Sequence, residues 1–481
     1  MEASKMGLNT ARRITVNFLS LFTGEATSRV LQLLISIFLA RSLGKEDFGI
    51  FSFSFAFGFL FMIIADFGLG TLLVREISRD KKSASRCLFN GAAIKALLAM
   101  LSFALASLFL SIMGYSSKTK AVAYLMLLFA AMQSFTELHY TIFRAFERMH
   151  YEMGIKLLRM ILLAGSVFYL TKNGYGVIII SAFFPLIELL MLAIAILAVY
   201  KAFAKPSWKF DLNLSKNLIK GSSVFFLSAV FTTLYLYINI VMLSKMRSAS
   251  EVGLYSAAAN ITIGLIFIPL MYCNSIYPVI SRMFISSKKS LLFAYEKSFK
   301  YMLILAIAVG AGIFSLSERI ILFLYGSPYR ESSAVLGILA GYIFLKFLNP
   351  VTGYTLMAIN KERTRLFSQA TAALINIILN FVLIPYYGII GAALATLITE
   401  IIFSAIYFTV IIKNGFGFNF LGQFLYKPLI SAIIMVFFVG FIENLFLAVI
   451  VGAFAYILAL LVLKVMDKDD KRIFSMIAKN I

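Results

Sequence analysis

The sequence predicts an all-α polytopic membrane protein, and three observations carry that reading. Of 481 residues, 61% are hydrophobic and only 14% charged. Apolar runs of about 20 residues, the length that crosses a bilayer as a helix, follow one another along most of the chain. Lys and Arg collect in alternate loops, as the positive-inside rule demands of a multi-pass protein.

Spans are expected near 14–40, 48–73, 87–113, 121–144, 153–171, 175–200, 221–244, 252–277, 299–317, 333–358, 365–384, 388–412, 425–441 and 445–464. That makes about fourteen transmembrane helices. Only Glu443 and Asn444 stand out as polar between the last two. Lys5, Arg12 and Arg13 precede a first apolar stretch of full spanning length with no small-residue cleavage signal, so no removable leader is expected.

The loop charges test this count without having been used to make it. With alternate loops assigned to one side, the side of the N-terminus holds 32 Lys and Arg and the other side 9, while Arg29, Lys95 and Lys346 lie within spans. The bias predicts a protein of the cytoplasmic membrane with both termini in the cytoplasm. It also explains the net charge of +22 as loop charge facing anionic lipid, so no nucleic-acid partner is expected.

The chain repeats itself. LGKEDFGIFSFS (43–54) resembles SASEVGLYSAAA (248–259), with Gly49 and Gly253 in register, and NGYGVIIISAFFPLIELL (173–190) parallels PYYGIIGAALATLITEII (385–402). The second pair aligns Gly176 with Gly388 and Glu188 with Glu400. Six helices separate the copies, so the two six-helix bundles share orientation about an axis along the membrane normal. The expected domains are 1–210, 211–412, and two additional helices with a tail in 413–481.

Ionisable residues inside spans cost several kcal/mol unless they face protein or water, which makes each a functional candidate. Arg29 lies about 22 Å into the first helix, too deep to reach the N-terminal surface. Glu25 is one turn earlier on the same face. Either the two neutralise each other, or Glu25 positions Arg29 to offer a fork of donors to a phosphate. Lys95 and Lys346 add two further cations in spans, a set suited to an anionic cargo headgroup. Glu137, His139 and Arg144 form a cluster that is either self-shielding or a headgroup entry site. Asp66 reads as a helix-end residue capping or pairing with Arg75.

For ion coupling, Asn376 and Asn380 stand one turn apart and Thr396 and Thr399 follow on the next span, offering oxygens to a small hard cation. Helix-to-helix hydrogen bonding is the competing role. Glu188 and Glu400, each about mid-span, are candidates to carry protons. Prolines 185, 269, 350 and 385 lie in or at the ends of spans, where they kink helices. No phosphate-binding loop, dinucleotide fingerprint or metal-spaced His and Cys cluster occurs, and there are only 2 histidines and 2 cysteines, so no cofactor, metal site or enzyme activity is expected.

The stretch 28–80 resembles the N-terminal signature of Wzx-type polysaccharide flippases of the multidrug/oligosaccharidyl-lipid/polysaccharide (MOP) superfamily. The likeness is carried by Ala40 to Gly44, Asp47 and Gly49, Asp-Phe-Gly-Leu at 66–69, and Arg75. It extends to span number, repeat structure and the AFERMHYE loop (145–152). The resemblance implies a MATE-like fold and a carrier without its own ATP hydrolysis. Its cargo would be an isoprenoid diphosphate-linked oligosaccharide, on an undecaprenyl or dolichyl carrier, delivered to glycosyltransferases or a polymerase of the same pathway. It implies a cationic cavity, with Arg29, Lys95 and Lys346 as the matching residue types, and in some relatives coupling to a sodium or proton gradient. The alternatives are a multidrug or cation antiporter of the same superfamily, or a membrane glycan polymerase or ligase.

Overall fold

The computed structural model describes residues 2–470 other than 204, 206, 208, 419, 420, 423 and 468, with side chains from Gly24 onward except that of Glu25. Among the described residues the long elements are all helices: α1 (Glu2–Asp66), α2 (Leu69–Arg79), α3 (Ala84–Ile112), α4 (Ser117–Ala145), α5 (Met149–Lys172), α6 (Val177–Ala202), α7 (Leu212–Met246), α8 (Ala249–Ser286), α9 (Lys288–Tyr325), α10 (Ser332–Ala358), α11 (Glu362–Lys413), α12 (Tyr426–Gly440) and α13 (Leu445–Val462). Eleven of them are long and apolar enough to cross a membrane. Two of those eleven hold a pair of expected spans each: α1 breaks at Gly44 (φ 74°) and α11 at Gly388 (φ 54°). Both angles lie in the region where a side chain is strained, so glycine is the residue that permits each break. With α12, the fourteen expected segments are all helical.

The boundaries shift for identifiable reasons. The expected second span, 48–73, stops at Asp66, because Phe67 and Gly68 take positive φ of 44° and 66°. The residues that follow form α2, which buries Leu69, Leu72, Leu73 and Ile77 on one face and leaves Arg75 and Arg79 on the other. That spacing of apolar residues is a helical stripe, not a loop. Pro185 lies inside α6, Pro269 inside α8, Pro350 inside α10 and Pro385 inside α11.

By contact the chain forms two compact units, Met1–Asn260 with Asn376–Ile389, and Ile261–Ile375 with Ile390–Ile481. Sequence likeness and contact divide the chain differently: α7, the first helix of the second repeat, belongs to the first unit.

In the first unit α1 packs against α3, α4, α5 and α7, and α4 against α6. Its core on the side of α2 gathers Leu69, Leu73, Leu88, Leu138, Tyr140 and Phe143. The repeat-related Gly49 and Gly253 meet backbone to backbone. A Cβ on Gly49 would stand 1.8 Å from the carbonyl oxygen of Ala249, and one on Gly253 2.0 Å from that of Lys45. Around this contact Asn260 donates to Ser36 (2.8 Å), and Arg247 donates to the carbonyls of Ile384 (3.1 Å) and Pro385 (2.7 Å).

In the second unit α9 packs on α10, α12 and α13, around Phe299, Ile343, Phe347 and Tyr407. The chain beyond α13 is tied to the start of α9. Lys297 and Lys300 each donate to both Asp467 and Asp470, at 2.6 to 3.0 Å. Tyr301 donates to Asp470 (2.9 Å). Burial alone would raise both carboxyls, but the lysine hydrogen bonds outweigh it and hold them below the ordinary carboxylate range.

Two outcomes follow. Gly253→Ala must push two backbones apart, an overpacking that costs about 1–3 kcal/mol. It lowers the melting temperature in detergent, while Gly165→Ala, with open space around its Cβ, leaves it almost unchanged. Because folding depresses the two aspartates, the stability they contribute is complete above the ordinary carboxylate pKa. It is lost progressively as pH falls from that value through their lower folded ones. Hydrogen exchange across 465–467 and 469–470, corrected for intrinsic rate, therefore stays constant from neutral pH to about 4 and rises below. Asp470→Asn raises it at neutral pH, and the difference from the wild type shrinks in acid.

Candidate functional site: a charged cavity in the first unit

A cavity of about 370 Å³ opens within the first unit, between the end of α1, α3, α4 and α7. Its polar wall is supplied by Asp66, Lys95, Ser134, Glu137, Arg144 and Tyr237. Thr71, Gln133 and Thr233 add uncharged polar groups, and the rest is glycine and apolar side chains, with Phe59 stacked on Tyr237 at 5.9 Å between ring centroids. At Gly68 the wall closes against α7. A Cβ there would meet the backbone nitrogen of Phe226 at 2.6 Å, and Phe67 stacks on Phe226 at 4.4 Å.

Lys95 is 1% exposed, and its ammonium has three acceptors: Asp66 Oδ1 (2.6 Å), the Ser134 carbonyl (2.9 Å) and Ser134 Oγ (2.7 Å). Three N–H donors with three partners is a satisfied ammonium. The expected pairing of Asp66 with Arg75 does not form: Arg75 takes Glu76 instead (2.9 Å). The turn at Phe67 is the reason, since it sends Arg75 away on α2 and leaves Asp66 facing α3.

Arg144 joins α4 to α5. It donates twice to Glu152 (2.6 and 2.8 Å) and once to Glu137 (3.0 Å), and Lys156 donates to Glu152 (2.8 Å). Glu152, 3% exposed at its side chain, anchors the group, while Glu137 and Arg144 reach the cavity. His139 does not line it: its Nδ1 is tied to the Phe135 carbonyl one turn back (2.8 Å) on α4.

Arg29 stands beside the cavity, not in its wall. It is half-buried, donates to Gln32 (3.5 Å), and is near enough to Tyr237 for its charge to act on the phenol. The side chain of Glu25 lies outside the described residues. Glu188 is fully buried against Arg159 (3.4 Å). Arg159 falls within the expected span 153–171 but counts with the charges of the loop before it; α5 starts at Met149 and carries it into the core. Glu188 Oε1 and Arg159 Nε lack hydrogen-bond partners in this arrangement.

Lys346 belongs to the second unit. It pairs with Glu400 (3.0 Å), to which Asn349 also donates (2.5 Å), and lies over the rings of Tyr342 and Phe403. Among the ion-coupling candidates, Asn380 donates to Asn376 Oδ1 (2.9 Å) and to Asn239 Oδ1 on α7 (2.5 Å). These oxygens accept amide protons here. Asn239 in turn donates to Tyr255 (3.1 Å). Thr396, in the other unit, donates to the Ala392 carbonyl on its own helix (2.8 Å). Among the described residues no cluster of His, Cys, Asp and Glu is placed to hold a metal.

The fold is that of a known class of membrane transporter. The chain superposes on the lipid II flippase MurJ in its inward closed conformation with a TM-score of 0.75 at 19% identity, covering 91% of this chain and 97% of that one. It superposes on a multidrug resistance MATE family transporter of the MOP superfamily, inward-facing, with a TM-score of 0.61 at 14% identity, covering 80% and 94%. These likenesses fix the fold. A family described as polysaccharide biosynthesis protein matches residues 14–284, more than half of the chain, and this protein belongs to that family. It is a polysaccharide biosynthesis protein whose helices are long and apolar enough to cross a membrane. A relative in Haloferax volcanii, a probable low-salt glycan biosynthesis flippase, is 25% identical over 454 residues, 91% of this chain and 93% of its own.

A buried ion pair broken on one side leaves an uncompensated charge, at a cost of about 3–5 kcal/mol. Lys346→Met is therefore strongly destabilising, and adding Glu400→Gln recovers most of the loss. A double-mutant cycle of melting temperatures in detergent reads that coupling.

Proposed function

We propose that the protein is a flippase that carries an isoprenoid diphosphate-linked oligosaccharide across the cytoplasmic membrane by alternating access, for assembly of a cell-surface polysaccharide or glycoconjugate. The observation that carries this is the cavity, whose wall holds Lys95 and Arg144 with Arg29 beside it, in a member of the polysaccharide biosynthesis family. Its 370 Å³ lies at the lower end of small-molecule sites, suited to a diphosphate and its first sugar. The remaining sugars need the cavity to open, and the isoprenoid stays in lipid.

The loop-charge bias supports cytoplasmic termini, so loading takes place from the side of Asp66 and Arg144. Coupling to a proton or sodium gradient belongs to the same proposal. Glu188 and Glu400, buried and ion-paired, are the carboxyls available to it. Glycosyltransferases or a polymerase of the pathway would supply and receive the cargo.

In proteoliposomes containing a labelled lipid-linked oligosaccharide, the protein moves the label between leaflets unchanged. Chemical alteration of the lipid would point to a polymerase or ligase, and indifference to it, with transport of cationic drugs, to an antiporter. Arg29→Ala abolishes movement while the protein remains inserted and folded; normal movement in that variant removes Arg29 from the site.

A further inference from the structure

The cavity that a doubly negative headgroup would enter is already filled with its own anions. Asp66 and Glu137 are two carboxylates, Lys95 and Arg144 two cations, and all four line the same space. The acids are the more accessible members of the Lys95 pair and near equals in the other: side-chain exposure is 38% for Asp66 against 1% for Lys95, and 31% for Glu137 against 35% for Arg144. Each cation also keeps a partner away from the exposed acid. Ser134 holds Lys95 through two acceptors, and Glu152 holds Arg144 through two hydrogen bonds. Removing either cavity acid from its cation thus leaves the cation still anchored in place.

We infer that Asp66 and Glu137 are placeholder anions, which occupy Lys95 and Arg144 in the empty carrier and are displaced from them by the phosphates of the cargo. This rests on the flippase reading and adds to it how the site binds and releases. An ammonium with three acceptors has no donor left for a phosphate oxygen. Binding is therefore an exchange, in which Asp66 Oδ1 leaves Lys95 Nζ and a phosphate oxygen takes its place. No bond is made or broken covalently and no proton need move. The carboxylate turns into the cavity, where it has access to water. Release is the reverse step, and the placeholder lowers its cost, because the departing diphosphate does not strand a bare ammonium among apolar helices. Affinity is given up in return for turnover.

A merely structural ion pair would not couple tighter pyrophosphate binding to slower flipping, so the two readouts are taken together. The probe is inorganic pyrophosphate, titrated calorimetrically into the purified full-length protein in nanodiscs, alongside flipping of the lipid-linked oligosaccharide in proteoliposomes. Glu137→Gln and Asp66→Asn each tighten pyrophosphate binding, on the order of ten-fold, since a competing charged acceptor becomes a neutral one. Both lower the flipping rate at saturating cargo and lower the cargo concentration for half-maximal rate. Lys95→Gln weakens pyrophosphate binding. Asp66→Glu, which keeps the charge, restores the wild-type balance.

Pyrophosphate affinity unchanged or weakened in a folded Glu137→Gln protein overturns the proposal. So does undetectable pyrophosphate binding in every variant. Glu137→Gln is the decisive variant should Asp66→Asn fail to fold, because Arg144 retains Glu152. The flippase reading itself stands or falls separately, on whether the wild-type protein moves the lipid.

Discussion

A charge inside an apolar bundle must be matched where it stands, and that constraint organises this protein. Moving an ion from water into a low-dielectric interior costs several kcal/mol even after relaxation. Lys95 meets it with Asp66 and Ser134, Arg144 with Glu137 and Glu152, Arg159 with Glu188, and Lys346 with Glu400. Apart from Arg144 with Glu137, which lies within α4, these pairs join different helices and fix how they lie against one another: α3 to α1 and α4, α4 to α5, α5 to α6, α10 to α11. The least well satisfied is Arg159 with Glu188, where one atom on either side lacks a partner.

Glycines set the second constraint. Gly49 and Gly68 lie 19 residues apart, about 28 Å along a helix, close to the thickness of the hydrocarbon core. At one end Gly49 touches Gly253 at the start of α8, and at the other Gly68 touches the backbone of α7 at Phe226. The second half of α1 is thus pinned at both ends to helices of the other repeat by contacts too close for any side chain, with the cavity between them. Packed interfaces of this kind switch between discrete arrangements instead of deforming continuously, which suits the alternating-access cycle proposed above.

The sequence made the architecture legible because lipid imposes one strong rule. Every apolar run must be a helix, since backbone groups find no water there. The fourteen segments and the repeat could therefore be read from hydropathy and register alone, and the in-register pair Gly49 and Gly253 turns out to be a point of contact. What escaped was set by turns and by pairing. The break at Phe67 and Gly68 is a local backbone event that redirects Arg75 and gives Asp66 to Lys95. Nothing in the spacing of residues 66, 75 and 95 encodes that choice. Arg159 was hidden by a boundary: a polar start to α5 looks like loop until Glu188, 29 residues on, is placed opposite it. Leu69, Leu72, Leu73 and Ile77 did carry a readable helical stripe. It is overshadowed by the longer apolar run before it.

Charge balance also bears on how the empty carrier returns. In the proposed alternating-access cycle the cavity wall meets changing surroundings, and an unmatched ammonium would be stranded in apolar packing part-way. With Asp66 on Lys95 and Glu137 on Arg144, the empty cavity presents paired charges throughout. In the proposed loaded state the diphosphate pairs with the same two cations, while the displaced acids face the water that enters with the sugars. The loaded and partly loaded states of that proposal carry the same net charge and differ only in pairing. In the first both cations hold phosphate and both acids face water, whereas the second leaves one phosphate charge without a cation in a low dielectric, where it costs most. Under that proposal the wall favours movement when both exchanges are complete or neither has begun.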